Sequence, residues 1–169
     1  MPEALALEPG TIERYAATPA VLRALMAGLP SAGVEAPGAE GWSPKDVVAH
    51  LASIQRAANI QRVAMMLEAD DPLIPGIDEE QVLEASGLRQ RPLADLLDRF
   101  ERDRTDGVAL LRRLTPGDLA RTGRHSVVGA LRIADIVHHI AYHDLLHVGQ
   151  IAALLAAPVE QRRGAMRIF

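Results

Sequence analysis

Residues 131–157 read LRIADIVHHIAYHDLLHVGQIAALLAA. Ile133, Ile136, Ile140, His143, His147, Ile151 and Leu154 recur at steps of three and four, the period of one face of an α-helix. Two histidines therefore stand one turn apart on an apolar stripe, where the helix must face a core. Three other segments carry the same period. The first runs from about Thr11 to Leu29, with Pro19 inside it. The second starts at Ser43, a good N-cap, with Pro44 at the first helical position and Asp46 placed for a capping box. It continues through Val47, His50, Leu51, Ile54 and Ala58 to about Leu67. The third begins at Pro92 and carries Leu93, Leu96, Leu97, Phe100, Val108 and Leu111. No strand pattern competes, beyond a short extended excursion over 121–129. The expectation is an all-α fold, an antiparallel four-helix bundle with long connecting loops, forming one domain over residues 1–169. The links 69–91 and 115–130 are long for a bundle, which marks them as functional or crossover elements.

Composition narrows the class. The 169 residues hold 18 Lys+Arg against 22 Asp+Glu, a net charge of −4, 49% hydrophobic residues and no cysteine. A chain of this size buries enough surface to fold without disulfides or a structural metal. Mild acidity speaks against a nucleic-acid binder. No signal sequence or apolar run of membrane-span length is evident, so no membrane partner and a cytoplasmic location are expected. Lacking cysteine, the chain has no thiolate nucleophile and no thiolate ligand.

Six histidines are present, four of them between His138 and His147. His50 lies between Val47 and Ile54 on the inner seam of the second helix, so His50, His143 and His147 can converge from two helices. Three unliganded neutral imidazoles in an apolar core would each need a donor and an acceptor partner. Three imidazoles around a divalent ion leave an open fourth position, the pattern of catalytic sites. Zinc, nickel, iron and manganese all accept such ligands. His139, one turn before His143, is either a fourth ligand or a group that orders one. Gln150, three residues after His147, could order a water or cap a neighbouring group. His138 and His125 read as surface or loop residues. Trp42 reads as a hydrophobic staple or a site wall. Arg56 could clamp a substrate carboxylate, although solvent exposure is the default for it. Tyr142 and Asp144 point away from the histidine face, to a dimer contact or to solvent. The run Glu101–Asp106 (ERDRTD) reads as a solvated helix face. No pair of inward carboxylates, nucleophile elbow or phosphate-binding loop is present.

The segments GWSPKDVVAHLASI (Gly41–Ile54) and HIAYHDLLHVGQI (His139–Ile151) resemble the two signature helices of the DinB/YfiT-like superfamily. The resemblance covers nearly the whole chain in helix order. It implies a four-helix bundle, a homodimer, and a zinc or nickel ion held by His50, His143 and His147. It also implies a small-molecule substrate, and in some members transfer of a low-molecular-weight thiol to a small electrophile. Two alternatives stay open: a metal-dependent hydrolase, and a non-catalytic dimeric metal-binding bundle. No general base is identifiable.

Overall fold

A computed structural model describes residues 5–168. Helix α1 (Thr11–Met26) follows Gly10, whose φ of 77° suits glycine, and tolerates Pro19 in its interior. The short α2 (Ser31–Glu35) sits in the loop to α3 (Pro44–Ile54). The capping box forms as expected: Asp46 N–H donates to Ser43 Oγ at 3.2 Å, and Ser43 N–H donates to Asp46 Oδ2 at 2.9 Å. A π-helical stretch, Gln55–Ile60, joins α3 to α4 (Gln61–Glu68) without a break. The next link holds β1 (Leu73–Ile74) and α5 (Glu79–Ser86). Then come α6 (Leu93–Leu111), the single turn α7 (Pro116–Leu119), β2 (Thr122–His125), β3 (Gly129–Arg132) and the long α8 (Ile133–Glu160). The excursion expected near 121–129 is the hairpin β2–β3. With β1 parallel to β2, it makes a three-stranded sheet that the periodicity did not announce. Leu131 belongs to β3, not to the last helix.

The long helices α1, α3–α4, α6 and α8 form the bundle. Helix α1 packs on α6 and α8, and α3 packs on the same two, so α1 lies diagonally across from α3–α4, and α6 from α8. Two apolar clusters give the directions. One holds Leu22, Met26, Val47, Leu51, Leu96, Phe100 and Ile151, and the other Tyr15, Val63, Met66, Leu111, Ile133 and Ile140. Chain order through the two clusters makes α1 and α8 run one way and α3–α4 and α6 the other. The segment between α4 and α6 must therefore return along the whole bundle. Ile74 of β1 sits in one cluster and Leu83 of α5 in the other. That return explains the length of 69–91 and carries α5 past the histidines.

Helix α8 has the length and composition of a membrane span, the one such helix among the described residues. It is the fourth helix of the bundle, with Ile133, Ile136, Val137, Ile140 and Ile151 buried.

Candidate metal centre

Between the two apolar clusters lies a polar layer, with at least one buried polar residue from each long helix: Thr18, His50, Gln55, Arg104 and Asp144. His50 comes from the middle of α3, and His143 and His147 from successive turns of α8. His50 Nε2 lies 3.4 Å from His143 Nε2, which lies 3.1 Å from His147 Nε2. One ligand nitrogen from each residue falls within 4.8 Å of the others. Two nitrogens bound at 2.0–2.1 Å to one tetrahedral ion stand about 3.3 Å apart, so the spacing suits a shared cation. The chemistry of the donors fits as well. Three ring nitrogens aimed at one another cannot all be satisfied by mutual hydrogen bonds, whereas one ion takes all three lone pairs. The His147 Nδ1–H donates to Gln150 Oε1 at 2.8 Å, which fixes the tautomer that leaves Nε2 free. The Nδ1 atoms of His50 and His143 are buried and have no hydrogen-bond partner among the described residues.

Burial dominates the electrostatics. Desolvation, then the neighbouring His147 and Arg89, lowers His50 to a pKa of about 4. Desolvation and the surrounding imidazoles lower His143 to about 3. The unfolded chain, with imidazoles near 6.5, then holds more protons below that value, so the metal-free fold loses stability as pH falls from about 6.5 towards 4. Metal loading should show the same depression. At pH 5.5 three ordinary imidazoles would release nearly three protons to a metal. Because His50 and His143 are already neutral there, zinc should release no more than about one proton per ion. Titration calorimetry in two buffers of different ionisation enthalpy measures that number, and a release near three would contradict the assigned environment.

The clearest addition to the sequence reading is Glu79, at the start of α5. Its Oε2 lies 3.5 Å from His50 Nε2 and 4.0 Å from His143 Nε2, and the side chain is half exposed. Asp78 caps the helix by accepting from the N–H groups of Glu80 and Gln81, which directs its first turn at the histidines. A cleft of about 330 Å³ opens over the cluster, walled by Trp42, Glu79, His147 and Gln150. Trp42 is thus a site wall, edge-on to the His50 ring at 5.5 Å between centroids, with Arg89 stacked on it.

Other candidates separate. His139 is exposed and its ring is 6.0 Å from that of His143, and it faces a neighbouring cleft rather than the three nitrogens. His138 Nε2 accepts from Glu8 N–H at 3.0 Å and tethers the N-terminal segment. His125 stands on β2, where Nδ1 accepts from Val127 N–H, and faces the same neighbouring cleft as His139. The side chain of Arg56 lies outside the described residues. Two readings are corrected. Asp144 is buried, not on a solvated or dimer face. Arg104 leaves the otherwise largely wet ERDRTD run to form an ion pair with it, each side chain only 2% exposed. Arg104 also donates to Tyr15 O and to Gln55 Oε1, and Thr18 Oγ1 donates to Asp144 Oδ2 at 2.8 Å. The polar network thus ties together the four long helices directly behind His143. Gly107, one turn further along α6, leaves room for the π-helical stretch: a Cβ there would meet Ile60 at 3.0 Å.

Comparison with known proteins gives three findings. The model of the DinB superfamily matches residues 14–151. A protein of Oceanobacillus iheyensis, provisionally named a metal-dependent hydrolase, is 29% identical over 114 residues, 68% of this chain. The chain spans 65% of that relative's length. The solved structure of Bacillus subtilis YfiT superposes with a TM-score of 0.80 at 21% identity, covering 97% of this chain and 93% of the other. YfiT is described there as having an unusual four-helix bundle topology and is proposed to be a metal-dependent hydrolase.

Proposed function

The chain belongs to the DinB superfamily, and on that footing we propose that it is a metal-dependent hydrolase in which His50, His143 and His147 hold a divalent ion, zinc or nickel. The observation that carries the reading is the convergence of three ring nitrogens, with a carboxylate beside them at the floor of an open cleft. The provisional name of the Oceanobacillus relative supports the same class. A divalent ion held by three neutral ligands acts as a Lewis acid and brings the acidity of a coordinated nucleophile to near neutral pH. The chain's own residues do the rest. Gln150 holds His147 in the tautomer that binds. Trp42 closes one wall. Glu79 takes a proton from the attacking water and returns it to the leaving group, so the cleaved bond gains one water and the carboxylate ends as it began.

Thiol transfer is the second reading. The chain has no cysteine, so a thiol nucleophile would enter as a cosubstrate through the same cleft. Zinc- or nickel-loaded protein tested on p-nitrophenyl esters, with and without an added low-molecular-weight thiol and a bimane electrophile, separates the two. We expect metal-dependent ester turnover without thiol, and a fall of roughly 10²–10⁴-fold in kcat for Glu79→Gln at unchanged metal content. Turnover that requires the thiol moves the assignment to transfer. Neither activity in loaded protein overturns both.

We also infer a homodimer, at home in the cytoplasm, built on the outer face of α8. Tyr142, Leu145 and Leu146 are each about half exposed there, 59%, 49% and 52%. Light scattering should give twice the chain mass for the wild type and the monomer mass for Leu146→Asp. A monomeric wild type would remove the inference.

A further inference from the structure

Across Glu79 from the histidines lies a second cleft of about 430 Å³. Its lining is largely apolar, with Val127, Leu131 and Ile136, and Asn59, Arg62, His125 and His139 line it too. Asn59 and Arg62 are three residues apart at the end of the π-helical stretch, whose wide turn shifts the phase of every later side chain and presents this pair to the cleft. Arg62 is half-buried and makes no hydrogen bond or salt bridge with any described residue. Desolvation lowers its pKa and the field of Glu79 opposes the shift. Asp135, the other carboxylate facing the cleft, is engaged by Arg132 at 2.8 Å. A guanidinium with its fork free in an apolar cleft recognises a planar anion better than any neutral group.

Resting on the metallohydrolase reading, we propose that the substrate is a small amphiphile with one carboxylate. Arg62 pairs with the carboxylate, and Val127, Leu131 and Ile136 cover the apolar body. Glu79 lines both clefts, so a molecule seated this way points its far end at the histidines. A monoanion suits the site better than a phosphate dianion, because among the described residues Arg62 is the one permanent cation lining the cleft and Glu79 stands beside it.

Binding of 3-phenylpropionate, its neutral isostere 3-phenylpropanamide and 2-phenylethylphosphonate is measured by calorimetry on zinc-loaded and chelator-stripped protein. The wild type should bind the carboxylate at least tenfold more tightly than the amide in both metal states. Arg62→Leu should erase that preference and Arg62→Lys keep part of it, with zinc content and melting temperature unchanged in both. A preference that survives Arg62→Leu, or that exists only with zinc bound, overturns the proposal, as does tenfold tighter binding of the phosphonate. Zinc content reports on the other reading separately. Arg62-dependent binding in a protein that takes up no metal would leave the anion site standing and sink the metallohydrolase.

Discussion

Replacing Arg104 by leucine should cost about 3–5 kcal/mol of folding stability, because it strands the Asp144 carboxylate in the bundle interior. Urea unfolding monitored by circular dichroism measures the loss. The Arg104 guanidinium lies 3.5 Å from the centre of the Tyr15 ring and 4.5 Å from that of Phe100, so it also contributes packing that a smaller residue would lose. Burial raises the pKa of Asp144, while Arg104 and the hydroxyl of Thr18 oppose the shift. Without Arg104 the opposition weakens and the carboxyl protonates more readily in the folded state than in the unfolded chain. A native state that binds more protons gains stability as pH falls. The deficit of Arg104→Leu relative to wild type should therefore shrink between pH 8 and pH 5. The double variant Arg104→Leu/Asp144→Leu should lose much less than the sum of the two singles, since no charge remains unpaired. Additive losses, or a deficit independent of pH, would show that the pair does not act as one unit.

The second large effect concerns the histidines. A ligand that binds only the folded state stabilises it by about 2.7 kcal/mol at 100 times its Kd. For a domain of this size that raises Tm by roughly 5–11 °C. Zinc or nickel should shift wild-type protein by that order, and the shift should disappear in His143→Ala. His143 is the choice because its Nε2 is near both of the others, at 3.4 and 3.1 Å. Gln150→Leu, which removes only the partner that orients His147, should weaken affinity by about 10–100-fold and so keep about half of the shift or less at the same metal concentration, roughly 0.4–1.4 kcal/mol. Equal shifts in wild type and His143→Ala would place the metal elsewhere.

The histidines were legible because a polar residue on an apolar stripe has to face the interior, and three such residues on two adjacent helices have to meet. Arg104 and Asp144 obey the same spacing. Arg104 follows the buried Leu97 and Phe100 by seven and four residues, and Asp144 follows the buried Val137 and Ile140 by seven and four, a helical spacing compatible with an inward face for each. Their charge hid this, because a charged residue is a surface residue by default and burial becomes affordable only with a partner that lies 40 positions away in sequence. Glu79 was illegible for another reason. It sits in a link whose course depends on helix directions, and only the return of that link along parallel-running α3–α4 and α6 brings it to the site. The strands β1–β3 are too short for a period to register.

The central proposal is one divalent ion shared by His50, His143 and His147. Elemental analysis of tag-free protein, as purified and after incubation with zinc or nickel, tests this most directly when run beside His143→Ala. The prediction is close to one transition-metal ion per chain in the wild type and none in the variant. A wild type that carries no metal under either condition would contradict the account.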